Sequence, residues 1–89
     1  MKHYNITISG KVQGVFYRQS TLETAQRLGL KGFVRNELNG NVYLEAEGSQ
    51  KQLDQLVEWC KKGPKRAMVS EVKVVESEMK NYSLFEIKR

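Results

Sequence analysis

Residues 10–18 read GKVQGVFYR, and the stretch holds the parts of an anion cradle. Gly10 and Gly14 stand four positions apart, and glycine allows backbone conformations in which successive N–H groups converge on one point. Arg18 closes the stretch, and its planar guanidinium can hold two phosphate oxygens at once. The pattern then turns helical, and a helix start here adds unpaired N–H groups and the positive end of a dipole. An arginine in a first helical turn is poorly placed for that dipole on its own, a conflict that a bound anion removes. Yet Gly-x-x-x-Gly is common, and the nucleotide-binding pattern G-x-x-x-x-G-K-[ST] is absent. On residue types alone, an anion cradle and a plain strand-to-helix turn both stand.

Asn36 is the second residue of interest. It falls in an apolar alternating run, where asparagine is disfavoured. Its parity matches Val34 and Leu38, so it points to their side, while Arg35 and Glu37 point to the other. On its own it also reads as a tolerated polar residue in a strand. Cys60 lies on an apolar helical stripe and reads as core. His3, the only histidine, opens a strand with no Cys, His or carboxylate cluster around it, so no metal site and no catalytic role is expected of it.

The elements that must position these residues follow from periodicity. YNITISG alternates, with Tyr4, Ile6 and Ile8 on one side, as in a half-buried strand. QSTLETAQRLGLKG has helical spacing, with Leu22, Ala25 and Leu28 on one face and Gly29 as a stop. Ser20 and Glu23 can form a capping box, with the alternative that the first turn begins earlier, near Arg18. GFVRNEL and NVYLEAE read as strands joined by a two-residue hairpin at Asn39-Gly40. On the second of these, Val42, Leu44 and Ala46 face inward and Tyr43, Glu45 and Glu47 outward. SQKQLDQLVEWCKKG is a helix with a capping box of Ser49 and Gln52 and a stripe of Leu53, Leu56, Val57 and Cys60, with Trp59 at the stripe's edge. AMVSEVKVVES is a fourth strand and YSLFEIK a short fifth. The order β-α-β-β-α-β plus a final short strand predicts an α+β fold, the ferredoxin-like two-layer sandwich, with two helices on one face of a mainly antiparallel sheet.

The chain has 89 residues, 39% of them hydrophobic and 28% charged, which suits a single globular domain over residues 1–89 with a thin core. Net charge is +5, a modest surplus that favours anionic partners. KKGPKR at 61–66 is the densest basic stretch and reads as the solvated end of a helix. One cysteine excludes an internal disulfide, and no apolar run approaches a membrane span. A soluble cytoplasmic protein without membrane contact is expected.

The stretch GKVQGVFYR resembles the first signature of the acylphosphatase family. GFVRNELNGNVYLEAEG, residues 32–48, is similar to the second, and GLKG and GPKRAMV also resemble family patterns. The resemblance runs over nearly the whole chain, in order. It implies hydrolysis of the carboxyl–phosphate bond of acyl phosphates to carboxylate and inorganic phosphate, with no metal, no cofactor and no phosphoenzyme. Arg18 matches the arginine that binds the phosphoryl group. Asn36 matches the asparagine that positions the attacking water. The amides of Val12, Gln13, Gly14 and Val15 match the cradle around the phosphoryl oxygens. Phe16 and Tyr17 are expected to pack and hold the loop in shape, and the direction of Lys11 is open.

The chemistry agrees with these residue types. The leaving carboxylate has a conjugate acid of pKa about 4 and departs without a general acid. A loose transition state needs little from a strong base. Charge stabilisation and water alignment remain, which an arginine, amides and an uncharged asparagine supply. A small-molecule acyl phosphate is then the substrate, inorganic phosphate the product and an inhibitor, and a monomer the expected state. An RNA-recognition motif has the same element order, and KGFV mimics the start of its third-strand signature. The octamer KGFVRNEL lacks the later aromatics, and NVYLEAE puts two acids on the third strand, so no nucleic-acid partner is expected. A related domain also opens larger maturation enzymes. A chain from Met1 to Arg89 with nothing attached favours a free-standing enzyme over a non-catalytic anion-binding piece.

Overall fold

The computed structural model describes residues 1–89. Seven elements form in the expected order: β1 (Lys2–Lys11), α1 (Tyr17–Leu28), β2 (Lys31–Asn36), β3 (Val42–Gly48), α2 (Gln50–Lys62), β4 (Met68–Ser77) and β5 (Phe85–Ile87). The sheet order is β4-β1-β3-β2-β5. All pairings are antiparallel except that of β5 with β2. Helix α1 lies over β2 and β5, α2 over β4 and β1, and the helices touch each other. This is the ferredoxin-like plan of two helices packed on a five-stranded sheet.

The inner sheet face is set by alternation. Ile6 pairs with Leu44 and Ile8 with Val42 across β1 and β3, and all four are fully buried. Leu53, Leu56 and Cys60 of α2 close over them, and Ala25 of α1 does the same from its side, with Leu22 and Leu28 half-buried beside it. Truncating Leu44, Leu53 or Leu56 to alanine removes transfer energy and leaves a cavity, at a cost of about 2–5 kcal/mol.

The outer face departs from the sequence expectation. Glu45 and Glu47 were expected in solvent, yet they are 6% and 2% exposed. The cause is residues 78–84, which pass over this face between the two edge strands. The Glu47 carboxylate accepts from the amides of Lys80 (2.6 Å) and Tyr82 (2.9 Å), and His3 Nδ1 lies 2.7 Å from it. Glu45 accepts from the hydroxyls of Tyr43 (2.7 Å) and Tyr82 (2.8 Å) and from Lys80 Nζ (3.2 Å). His3, fully buried, faces Glu45 at 3.0 Å and Asn5 at 2.9 Å through Nε2. Phe33 is covered as well, between Tyr43, Tyr82 and the Lys88 ammonium at 4.4 Å. The sheet face that carries the stacking aromatics in an RNA-recognition motif is thereby covered in part by the chain itself.

The hairpin also differs. Strand β2 ends at Asn36 and β3 begins at Val42. The Glu37 amide donates to the Asn41 carbonyl at 2.8 Å, and the Gly40 amide to that of Glu37 at 3.1 Å. The connection is therefore a turn over 37–40 with Gly40 alone at positive φ, +94°, instead of a two-residue loop. Leu38 leaves the strand and is fully exposed.

Candidate active site

Strand β1 runs to Lys11 and delivers the chain to the loop 12–16, which leads directly into α1. The helix begins at Tyr17, so the capping box of Ser20 and Glu23 does not form. The start is pinned by burial instead. The Tyr17 hydroxyl donates to the Cys60 carbonyl at 2.7 Å, its ring meets Trp59 at 5.3 Å, and Thr21 Oγ1 donates back to the Tyr17 carbonyl at 2.8 Å. Burial pushes the Tyr17 hydroxyl and the Cys60 thiol upward, the thiol to about 12, so neither is an ionised nucleophile near neutrality.

The N-cap residue is Phe16, with φ 64° and ψ 25°, and no side chain caps the helix. No acid lies in the first turn. The amides of Gln13, Gly14, Val15 and Phe16 donate to no protein acceptor. Gly14, at φ +74°, is open on the side where a Cβ would stand. Val12 and Val15 send their side chains into the core, at 1% and 6% exposure, which fixes the loop from below.

A cleft of about 760 Å³ opens above this loop, and Val12, Gly14, Arg18 and Asn36 all line it. Gln13 and Val15 belong to the same loop without lining the cleft. Arg18, on the first turn of α1, forms no ion pair, and the side chain of Asn36, at the end of β2, makes no protein hydrogen bond. Both are partly exposed. No Asp or Glu side chain lines the cleft. Glu37 is turned away as alternation requires, accepting from Arg35 Nε at 3.1 Å. Lys11 is exposed, paired with Met68, and outside the cleft.

Four features were missed by the sequence reading. The Gln13 side chain donates to the carbonyls of Glu37 and Asn41, both at 2.8 Å, and ties the loop to the hairpin beside Asn36. Ile87 and Arg89 also line the cleft. The parallel register Val34↔Ile87 brings the end of the chain alongside Asn36, and nothing local in a three-residue strand signals that. Phe16, expected to pack, is instead 74% exposed at the cleft. Its left-handed backbone turns the side chain out while Tyr17 turns in.

The arrangement can bind a small oxyanion and hold a water beside it. The chain as a whole is similar to known proteins. The family profile described as acylphosphatase matches residues 4–87. An acylphosphatase from Acaryochloris marina is 54% identical over 82 residues, covering 92% of this chain and 88% of that one. The crystal structure of acylphosphatase from Bacillus subtilis superposes with a TM-score of 0.98 at 33% identity over 100% of both chains. The structure of an acylphosphatase from Coxiella burnetii does so with a TM-score of 0.95 at 40% identity, over 98% of this chain and 92% of that one. Matched from first strand to last by the profile, and identical at more than half of the aligned positions to a relative of similar extent, the chain belongs to the acylphosphatase family.

Proposed function

We propose that the cleft hydrolyses acyl phosphates to a carboxylate and inorganic phosphate. One observation carries the reading: an unpaired arginine, an unpaired asparagine carboxamide and a loop of unacceptored amides open on one cleft that no Asp or Glu side chain lines. The phosphoryl group lies over the loop, its oxygens accepting from the amides of Val12, Gln13, Gly14 and Val15. Arg18 forks onto two of those oxygens, and the uncapped start of α1 adds its dipole. The Asn36 carboxamide oxygen accepts a hydrogen bond from the attacking water and turns the water's lone pair toward phosphorus.

The water oxygen bonds to phosphorus as the bond from phosphorus to the acyl oxygen breaks. The electron pair leaves with the carboxylate, and the water's surplus proton passes to the phosphate product or to solvent. A leaving group whose conjugate acid has a pKa of about 4 needs no general acid. No phosphoenzyme and no metal enter these steps. The work is positioning and electrostatic stabilisation. One chain suffices for these steps on a small molecule, which fits a monomer, and inorganic phosphate competes for the cradle. A cytoplasmic location suits a single buried free thiol.

The test is hydrolysis of benzoyl phosphate, followed by loss of absorbance in excess chelator. Activity persists in the chelator and is inhibited competitively by phosphate. Arg18→Ala lowers kcat/KM by at least about a hundredfold, the scale of one lost transition-state donor. Asn36→Ala lowers kcat by a similar factor while phosphate still binds. Circular dichroism confirms that both variants are folded. A folded wild-type protein that does not turn the substrate over overturns the reading.

A further inference from the structure

The cleft holds one apolar side chain for which the core has no use. Val12 and Tyr17 line it as well, but they are 1% and 2% exposed and belong to the core, and Ile87 is half-buried. Phe16 is 74% exposed, on a backbone at φ 64° that residues with a Cβ seldom adopt. An aromatic ring there is unfavourable twice over, through its hydrated surface and through its strained backbone. Such outliers concentrate where a ligand is held.

Its position relative to the proposed water is informative. Asn36 comes from β2, and Ile87 and Arg89 from β5 and the residues after it, alongside β2. Phe16 comes from a different element, the junction of loop and α1. In an in-line displacement the leaving oxygen departs opposite the attacking water. With water at Asn36, the acyl group leaves on the side away from the carboxamide, and Phe16 is the exposed apolar surface that the cleft offers it.

We propose that Phe16 is a specificity-determining residue whose ring packs against the acyl portion of the substrate and favours acyl phosphates with a flat or bulky apolar acyl group over small ones. The inference rests on the hydrolase reading above.

Phe16→Gly and Phe16→Asn test it, because both residue types accept a left-handed backbone and keep the loop's path. The readouts are kcat/KM for benzoyl phosphate and for acetyl phosphate, and the inhibition constant of inorganic phosphate. The ratio of benzoyl to acetyl kcat/KM falls about tenfold in both variants, as expected for one lost aromatic contact, while the phosphate constant stays near the wild-type value. An unchanged ratio in active variants overturns the inference alone. Parallel loss on both substrates with weakened phosphate inhibition also overturns it, because the loop and not the ring is then responsible. Wild-type protein inactive on both substrates overturns the hydrolase reading, and this inference with it.

Discussion

Gln13 reaches with its side chain across the gap between the loop and the β2–β3 hairpin. Its amide donates to two carbonyls that flank the hairpin's base, one of them the residue after Asn36. The spacing of cradle and carboxamide therefore depends on two hydrogen bonds that neither group makes itself. Gln13→Ala removes both, and Glu37 and Asn41 have water available in its place, so stability falls by only about 1–2 kcal/mol. The expected kinetic effect is larger than that loss suggests. Turnover number falls about tenfold or more, since small misplacements of a water-positioning group are costly, while inhibition by phosphate is retained because the loop amides are intact. Equal losses in turnover and phosphate affinity would point to collapse of the loop instead. Glutamine at position 13 was legible only as a member of the loop. A side-chain bond spanning 24 or 28 residues has no trace in local pattern.

The elements divide by what sets their ends. The start of α2 is local: Ser49 Oγ accepts from the Gln52 amide at 3.2 Å, and the Ser49 amide donates to Gln52 Oε1 at 2.8 Å, as the spacing of the two residues predicts. The start of α1 is tertiary, fixed by Tyr17 against α2, and a polar box three residues further on is overridden. The same division separates two glycines at positive φ. Gly14 stands at φ +74° in open space, whereas a Cβ on Gly32, at φ +147°, would overlap the Glu45 carbonyl of the paired strand. Gly14→Ala is expected to cost only the left-handed strain, about 1–2 kcal/mol. Gly32→Ala must push β2 off β3, costing about 3 kcal/mol or more. It also displaces Asn36 at the end of that strand. Urea midpoints rank the two substitutions, and a Gly32→Ala protein as stable as Gly14→Ala would contradict the close approach of the two backbones.

Across the whole molecule, the helix-bearing face was legible and the other was not. Period-two and helical spacing sufficed for Ile6, Ile8, Val42, Leu44, Ala46 and the α2 stripe, because each of those residues is buried by its own element's pattern. The two signatures brought Arg18 and Asn36 to notice, and the fold brings them to one cleft. Glu45 and Glu47 fit the pattern of a solvated face, and only the return of residues 78–84 buries them. That return also carries β5 to β2 and the chain end to the cleft, so the polar layer beneath it supports both the sheet and the site's rim. Burial pushes both carboxyls up, but the Lys80 and Tyr82 amides and His3 at Glu47, and the Tyr43 and Tyr82 hydroxyls and Lys80 at Glu45, more than offset it and leave both below the usual carboxylate range. A depressed carboxyl contributes stability that is complete above its unfolded value, about 4.3. That stability is lost as pH falls through the lower, folded value. Unfolding free energy of the wild type therefore declines steeply on acidification below about pH 5. Glu47→Gln keeps the shape but takes the carboxylate away from the Lys80 and Tyr82 amides and from His3, and is destabilised near neutrality by about 2–3 kcal/mol, as for lost hydrogen bonds to a buried charged group. Having no carboxyl to protonate there, it loses less on acidification, and the two stability curves converge toward pH 3. Urea titrations from pH 3 to pH 7 measure this directly. Curves that stay parallel would mean that the outer layer is held by its covering chain and not by its charges.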